Sequence, residues 1–239
     1  MKYAIISDIH SNLEALSSVL DVIDGEGVEH IVCLGDIVGY GADPNSCVEI
    51  IKERNIPSVL GNHDAVACGI YEPTLFNDMA AHAALWTREE LHPENRLFIN
   101  KLPEKLTIDG FLAVHGAISD PDKYILSAYD ARPEFSMMEE KTICFFGHTH
   151  VAITYFYVNN RVDTFSPSDI ALEGGVKYLI NPGSVGQPRD GDPRASFVIY
   201  DDQGIAEYKR VEYDIKRAQE KILKTGLDQK LAERLSYGI

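Results

Sequence analysis

The chain has 239 residues, of which 45% are hydrophobic and 25% charged, a globular composition that excludes wholesale disorder. Its 37 acidic residues outnumber its 22 lysines and arginines, which gives a formal net charge of −15 at pH 7. This balance, without a long basic run, argues against tight binding to duplex nucleic acid or to an anionic membrane surface.

The sequence predicts a cytoplasmic protein with no membrane span. No apolar segment reaches the roughly 18 residues that a spanning helix needs, and residues 1–12 lack the long apolar stretch and cleavage site of a signal peptide. The four cysteines have no Cys-x-x-Cys spacing, and Cys33 and Cys144 lie in apolar, strand-like runs. We therefore expect reduced, packed thiols instead of disulfides or a zinc site.

Three short strands are predicted in the first part of the chain. Residues 3–6, 30–34 and 58–60 are apolar runs that end at polar residues or glycine, which is typical of buried strands. Helical patterns separate these runs. Strands that alternate with helices predict right-handed crossover connections and a largely parallel core.

Helix starts are indicated by capping residues. Ser11 and Glu14 have the spacing of a capping box ahead of leucines at helical intervals. Asp43 followed by Pro44 predicts the start of a second helix, since aspartate caps and proline suits the first helical position. A third helix is expected over residues 77–91.

The second half of the chain is richer in strands. Strands are predicted over residues 111–114, 143–146, 154–158, 161–165, 177–180, 195–200 and 205–211. Short polar turns separate two pairs of these strands and indicate hairpins. A short helix is predicted near 133–140, and the tail from about Asp214 is predicted to be helical with a break near Gly226. Because no repeat or linker interrupts the pattern, we expect one domain over residues 1–239.

Side chains of metal-ligand type follow five of the predicted strands. They are Asp8, His10, Asp36, Asn62, His115, His148 and His150. Sites in open α/β sheets form at the carboxyl ends of strands, so these side chains are expected at one edge. A carboxylate such as Asp36 can bridge two cations, which leaves six donors to divide three and three. Each cation would then have four protein ligands and room for water or substrate.

With their neighbours, these residues form five short motifs. They are Asp8-Ile9-His10, Gly35-Asp36, Gly61-Asn62-His63-Asp64, Val114-His115-Gly116 and Gly147-His148-Thr149-His150. Their order resembles the calcineurin-like metallophosphoesterase superfamily, and residues 35–44 and 181–189 look like its small bacterial and archaeal phosphodiesterase branch. The resemblance implies an α/β fold, a metallophosphoesterase-like β-sandwich flanked by helices in an α/β/β/α four-layer arrangement.

The resemblance also implies two divalent metal ions. One would be held by Asp8, His10, Asp36 and His150, and the other by Asp36, Asn62, His115 and His148. Such ligands suit manganese, iron, nickel or zinc, and we favour manganese. Two cations about 3.5–4 Å apart would activate a bridging hydroxide that attacks phosphorus in line with the leaving oxygen.

Further site residues are expected beside the metals. His63 resembles the family's histidine that protonates the leaving group, with Asp64 fixing its tautomer. A helix-capping or packing role is the alternative for His63, and an N-cap is the alternative for Asp64. Asn12 is expected either to contact phosphate or to cap the first helix. Arg189 is expected either to clamp a phosphate oxygen or to stabilise a turn. Asn62 is expected to contact the substrate as well as a metal.

We therefore expect a dinuclear phosphoesterase that hydrolyses phosphodiester bonds of a small substrate. A phosphomonoesterase, including a protein phosphatase, is the alternative. A monoester carries more charge and favours extra cationic side chains in the pocket. The motif loops contain no arginine apart from Arg189, which favours the diester. A non-catalytic interaction scaffold is less favoured because His63 is present, and the net charge disfavours a DNA nuclease. The sequence specifies neither the substrate nor the oligomeric state, and an oligomer is compatible with it.

Overall fold

The computed structural model describes residues 1–108 and 110–239, and within them it shows two β-sheets flanked by helices. The strands are β1 (Lys2–Ile6), β2 (His30–Cys33), β3 (Lys105–Ile108), β4 (Phe111–Val114), β5 (Ile143–Phe145), β6 (Ala152–Val158), β7 (Arg161–Phe165), β8 (Ile170–Ala171), β9 (Lys177–Pro182), β10 (Ala195–Asp201) and β11 (Ile205–Val211). The helices are α1 (Leu13–Gly25), α2 (Pro44–Glu53), α3 (Asn62–Cys68), α4 (Asp78–Glu90), α5 (Pro93–Ile99), α6 (Ala128–Met137), α7 (Ile215–Thr225) and α8 (Gln229–Glu233), followed by a 3₁₀ turn, Arg234–Ser236.

Both sheets are mixed, so the predicted largely parallel core is wrong. The first sheet has the order β2-β1-β10-β11-β8, and the second has the order β3-β4-β5-β9-β6-β7. Strand β1 pairs parallel with β2, as the crossover pattern predicts, but antiparallel with β10. The reason is that the two predicted hairpins, β6–β7 and β10–β11, join one to each sheet and bring antiparallel neighbours with them.

Alternation along β1 explains the layers of the first sheet. Ala4 and Ile6 point to one face and pack in a buried cluster with residues of α1 such as Leu16. Tyr3 and Ile5 point to the other face, where the ring of Tyr3 meets Phe111 of the second sheet edge-on, with centroids 5.3 Å apart. A hydrophobic interior therefore lies between the two sheets.

The outer face of the second sheet is covered by α6. Leu112 and Cys144 belong to a buried cluster with Ala131 and Phe135 of that helix. The order of layers is helix, sheet, sheet, helix, which confirms the predicted α/β/β/α arrangement. All four cysteines are buried and free, and no helix in the described part of the chain is long and apolar enough to cross a membrane.

Two predicted elements differ from the structure. Residues 58–60 form only an isolated bridge between Ser58 and Cys33, because the Leu60 amide donates to the carbonyl of Pro103 instead of extending the ladder. The helix expected near 133–140 begins about a turn earlier, because Ser127 caps it by accepting from the amide of Asp130. Strands β3 and β8 and helix α5 were not predicted.

Two predicted caps also differ. Asn12, not Ser11, caps α1, since its Oδ1 accepts from the amide of Ala15 at 3.1 Å. Glu14 does not complete a capping box but forms an ion pair with Lys221 at 2.6 Å. Helix α2 begins at Pro44 as predicted, yet the Asp43 carboxylate also bonds Lys221 and caps nothing.

The C-terminal segment folds back against the middle of the chain. As predicted, α7 stops at Gly226, which adopts a left-handed conformation with φ of 81°. Ile222, Leu231 and Leu235 then share a buried cluster with Ala83 of α4 and with Tyr40. This packing brings the last residues of the chain next to the loop that follows β2.

Candidate metal centre and substrate pocket

The loops after β1, β2, β4 and β5 bring the predicted ligands together. Two groups of buried donors are formed, with all donor atoms in each within 4.8 Å of one another. The first contains Asp8, His10, Asp36 and His150, and the second contains Asp36, His115 and His148. Asn62, the first residue of α3, adds its Oδ1 to the second group, 3.1 Å from Nε2 of His115. We call these seven residues the metal-ligand cluster. Which metal each would bind stays a prediction.

The backbone of the cluster is strained. Five of its members have left-handed φ angles between 49° and 67°. They are Asp8, His10, Asp36, His148 and His150. This region is unfavourable for side chains other than glycine, so the surrounding structure must hold it. Backbone hydrogen bonds between the loops do so, such as that from the His10 amide to the Asp36 carbonyl at 2.9 Å.

Each histidine of the cluster has one ring nitrogen bonded to a backbone carbonyl. The pairs are His10 Nδ1 with Val38, His115 Nδ1 with Leu34, His148 Nε2 with Asp122 and His150 Nδ1 with Gln187. A carbonyl oxygen only accepts, so the nitrogen facing it carries the proton. When such a ring is neutral, its other nitrogen carries a lone pair that points into the cluster.

These inward nitrogens face one another at short distances. Nε2 of His10 lies 3.0 Å from Nε2 of His150, and Nε2 of His115 lies 3.1 Å from Nδ1 of His148. Two lone pairs so close repel unless a proton or a cation is shared between them. With the carboxylates of Asp8 and Asp36 alongside, the arrangement fits divalent cations, and imidazole and carboxylate ligands without thiolate suit manganese, iron, nickel or zinc.

The pKa values of the cluster residues also favour bound cations. Burial lowers the pKa of His148 to about 3 and holds that of His150 well below its usual value, so both rings are neutral near pH 7. Burial also disfavours charge on His115, but the negative charge and hydrogen bond of Asp36, with Asp8, raise its pKa to about 10. The two carboxylates thus demand positive charge inside the cluster. Burial in turn raises the pKa of Asp8 to about 7.

His63 lies beside the cluster, but the Asp64 carboxylate, which was predicted to fix its tautomer, accepts from backbone amides instead of from the His63 ring. The Asp64 carboxylate accepts from the amides of Val38 and Gly61, at 3.0 and 3.2 Å, and so ties the start of α3 to the loop after β2. The His63 amide donates to Asp36, and its ring Nδ1 is buried against Gly39 without a partner. The Asp64 carboxylate therefore bonds the backbone as in the capping alternative, and the catalytic roles of His63 and Asp64 stay predictions. Burial lowers the pKa of His63 to about 4.

A pocket of about 710 Å³ opens beside the cluster. The predicted residues Asn62, His63, His148 and Arg189 line it. Asn12 does not, because its Oδ1 caps α1 and its Nδ2 donates to the carbonyl of Gly186 at 2.8 Å. These bonds favour the capping role of Asn12, and its contact with substrate stays a prediction.

Aromatic residues and Arg234 also line the pocket. The ring of Tyr124 stacks on His148 with centroids 3.9 Å apart, and Phe76 lies 4.6 Å from the ring of His63. Tyr40 packs against His63, and Arg234 from the 3₁₀ turn lies over the ring of Tyr40. Sequence reasoning missed Arg234, because no motif lies near residue 234.

Comparison with known proteins decides the family. The sequence model of the calcineurin-like phosphoesterase superfamily domain matches residues 1–204. The chain belongs to that superfamily. A crystal structure of a metallophosphoesterase from Sphaerobacter thermophilus is 38% identical, with a TM-score of 0.88 and complete coverage of both chains. The protein is accordingly a hydrolase of phosphoester bonds with a metal-binding Asp/His cluster.

Two curated relatives extend the likeness over most of the chain. Protein MJ0912 of Methanocaldococcus jannaschii is 43% identical over 242 residues, which cover 98% of this chain and 97% of that one. The phosphodiesterase YfcE of Escherichia coli is 24% identical over 219 residues, which cover 86% of this chain and 90% of that one.

Proposed function

We propose that this phosphoesterase hydrolyses phosphodiester bonds at a dinuclear metal centre. The observation that carries the proposal is the pair of donor groups that share the Asp36 carboxylate and border the pocket through Asn62 and His148. Two divalent cations there would supply a water of lowered pKa and offset the charge that develops on the phosphate oxygens. The name of the relative YfcE supports the choice of a diester.

The residues around the pocket have separate tasks in this proposal. Asn62 and His148 meet the scissile phosphate, and the stacked ring of Tyr124 keeps His148 in place. The bond from the His63 amide to Asp36, 2.9 Å long, fixes His63 relative to the ligands. His63 gives a proton to the leaving oxygen through Nε2, and the negative charge of a bound phosphate raises the pKa of the ring toward that task.

A phosphomonoesterase is the second candidate, and one observation favours it. The preference for a diester rested on Arg189 as the one arginine near the motifs, but Arg234 lines the same pocket. Two guanidinium groups could bind the more highly charged monoester. The roles of the ligands and of His63 would be unchanged.

The two candidates are separated by hydrolysis of bis-p-nitrophenyl phosphate and p-nitrophenyl phosphate by the manganese-loaded protein. We expect chelator-sensitive release of p-nitrophenol mainly from the diester. Release mainly from the monoester would establish the second candidate, and no release from either, with both metals bound, would contradict both. Asp36→Asn, purified in the same way, controls for contaminating phosphatases.

A further inference from the structure

Two arginines without acidic partners line the pocket. Arg189 follows β9, whereas Arg234 lies in the 3₁₀ turn beyond the residues that the superfamily model matches. The chain has 37 acidic residues, yet neither guanidinium forms an ion pair with a carboxylate of residues 1–108 or 110–239. Charge balance within the protein therefore does not explain why two cations meet here.

Both guanidinium groups gather around one aromatic ring. Cζ of Arg234 lies 4.6 Å from the ring centroid of Tyr40, and Cζ of Arg189 lies 5.7 Å from it. Arg189 also donates to Oε1 of Gln187 at 3.0 Å and to the Tyr40 hydroxyl at 3.3 Å. We call Arg189 and Arg234 the arginine pair.

The hydrogen-bonding capacity of the pair is not satisfied. Nε and Nη2 of Arg234 are buried and have no hydrogen-bond partner in the described chain. Buried donors without acceptors are costly, and more so when they carry charge. Burial and the charge of Arg189 lower the pKa of Arg234 to about 10, so it remains protonated near neutral pH.

An anion in the pocket would account for this meeting of two cations. It would offset two like charges, and its oxygens match the planar fork of a guanidinium. The ring of Tyr40 that carries Arg234 also lies 4.7 Å from the ring of His10, a predicted ligand. The pair is therefore one aromatic ring away from the metal-ligand cluster.

We propose that Arg189 and Arg234 form a subsite that holds a second phosphate group of the substrate. The inference rests on the proposed function, because it places the scissile phosphate at the metal-ligand cluster. The natural substrate is then a phosphodiester that carries a further phosphate group, and Arg234 is a specificity-determining residue. The pair does not contact the phosphorus that is attacked.

A binding experiment tests the subsite without catalysis. Chelator-treated protein is titrated with inorganic phosphate by isothermal titration calorimetry. We expect one phosphate per chain, bound on the order of tenfold more weakly by Arg234→Gln. Arg161→Gln removes an exposed charge at the start of β7 and is the matched control, with wild-type binding expected. No binding by the wild type, or equal binding by Arg234→Gln, would overturn the subsite.

A kinetic experiment tests its role in specificity. The substrates are thymidine 3′-phosphate 5′-(p-nitrophenyl phosphate) and thymidine 5′-(p-nitrophenyl phosphate), which share the diester and the leaving group. For the manganese-loaded wild type we expect kcat/KM to be about tenfold higher with the extra phosphate, mainly through KM. The ratio should approach one in Arg234→Gln, recover in part in Arg234→Lys and stay unchanged in Arg161→Gln.

The outcomes separate the two proposals. Absence of a preference in the wild type, or equal losses on both substrates in Arg234→Gln, would contradict the second-phosphate subsite and place the pair on the scissile phosphate or in the fold. If phosphate binding depends on Arg234 but neither diester is hydrolysed, the phosphodiesterase proposal fails while the anion subsite stands.

Discussion

The metal-ligand cluster and the arginine pair border one pocket, but the protein holds them in different ways. In the cluster each histidine is fixed by a carbonyl, and five backbone positions are strained. In the pair the guanidinium groups lie over the ring of Tyr40, and two guanidinium nitrogens of Arg234 have no hydrogen-bond partner in the described residues. The cluster thus holds its donors in a fixed geometry, whereas the proposed anion subsite is formed by long side chains.

This difference separates chemistry from selectivity. Rigidly held side chains suit metal cations and the phosphorus under attack, because a small displacement of these groups greatly lowers the rate of the chemical step. Enzymes of one fold differ in the part of the substrate that lies away from the reacting bond. Long side chains such as those of the arginine pair suit the binding of that part. We therefore expect substitutions in the cluster to abolish turnover and substitutions around it to have graded effects.

The largest effect is expected for Asp36→Asn, which would break the cluster. Because both donor groups share this carboxylate, the variant should lose both metals together and with them essentially all hydrolysis. Metal content by mass spectrometry and hydrolysis of the diester check this. Asp21→Asn, at an exposed position of α1, should keep both metals and full activity. One fully occupied metal site in Asp36→Asn would contradict a bridging role.

The metal-ligand cluster could be predicted from the sequence because its residues follow the ends of strands. Asp8, Asp36 and His115 each follow a buried apolar strand, and strand ends meet at one edge of a sheet. The four-layer fold was predictable from the family resemblance, whereas the mixed sheets depend on where the late hairpins pair. That choice is made by contacts between distant parts of the chain.

The arginine pair could not be predicted for the same reason. Arg234 reaches the pocket only because α7 and α8 pack against α4 and Tyr40, a contact that no local pattern announces. Competing local patterns account for the other errors. Ser11 and Asn12 are both good caps, and the structure uses the second. Asp64 could bond His63 or the backbone, and two amides are better placed.

The next largest effect is expected for His63→Ala, because His63 lies between the metal-ligand cluster and Tyr40, the ring that carries the arginine pair. The ring of His63 touches both His10 and Tyr40, with centroids 4.9 and 4.3 Å away, but is not a predicted ligand. We expect about 10²–10⁴-fold lower kcat, as for loss of a general acid, with the metal content unchanged. His82→Ala on the exposed side of α4 is the control. Unchanged turnover would remove His63 as the proton donor.

A smaller effect on turnover is expected for Asp64→Asn. The amide retains one acceptor oxygen but turns a donor toward a backbone N–H of Val38 or Gly61. We expect a loss of about 1–3 kcal/mol in the free energy of unfolding and a smaller fall in kcat than in His63→Ala. Thermal unfolding and kinetics check this, with the exposed Asp78→Asn in α4 as control. A fall in kcat as large as in His63→Ala, at unchanged stability, would restore Asp64 as the partner of His63.

The smallest effect is expected for Asn12→Ala, which tests whether this buried polar side chain contacts the substrate or only caps α1. Loss of the α1 cap should lower the free energy of unfolding by about 1 kcal/mol, while Asn12→Ser retains most of that stability.

Ser127→Ala is a control away from the pocket, because Ser127 caps α6 through a bond from the amide three residues on. If Asn12 is only structural, Asn12→Ala also loses the bond from Asn12 to Gly186, and kcat/KM changes by less than about threefold in both variants. A tenfold loss of kcat/KM confined to Asn12→Ala would instead place this side chain on the substrate. Gly186 is three residues before Arg189, so a fall in the preference for a second phosphate, without a fall in kcat, would mean that Asn12 acts through the loop that carries Arg189.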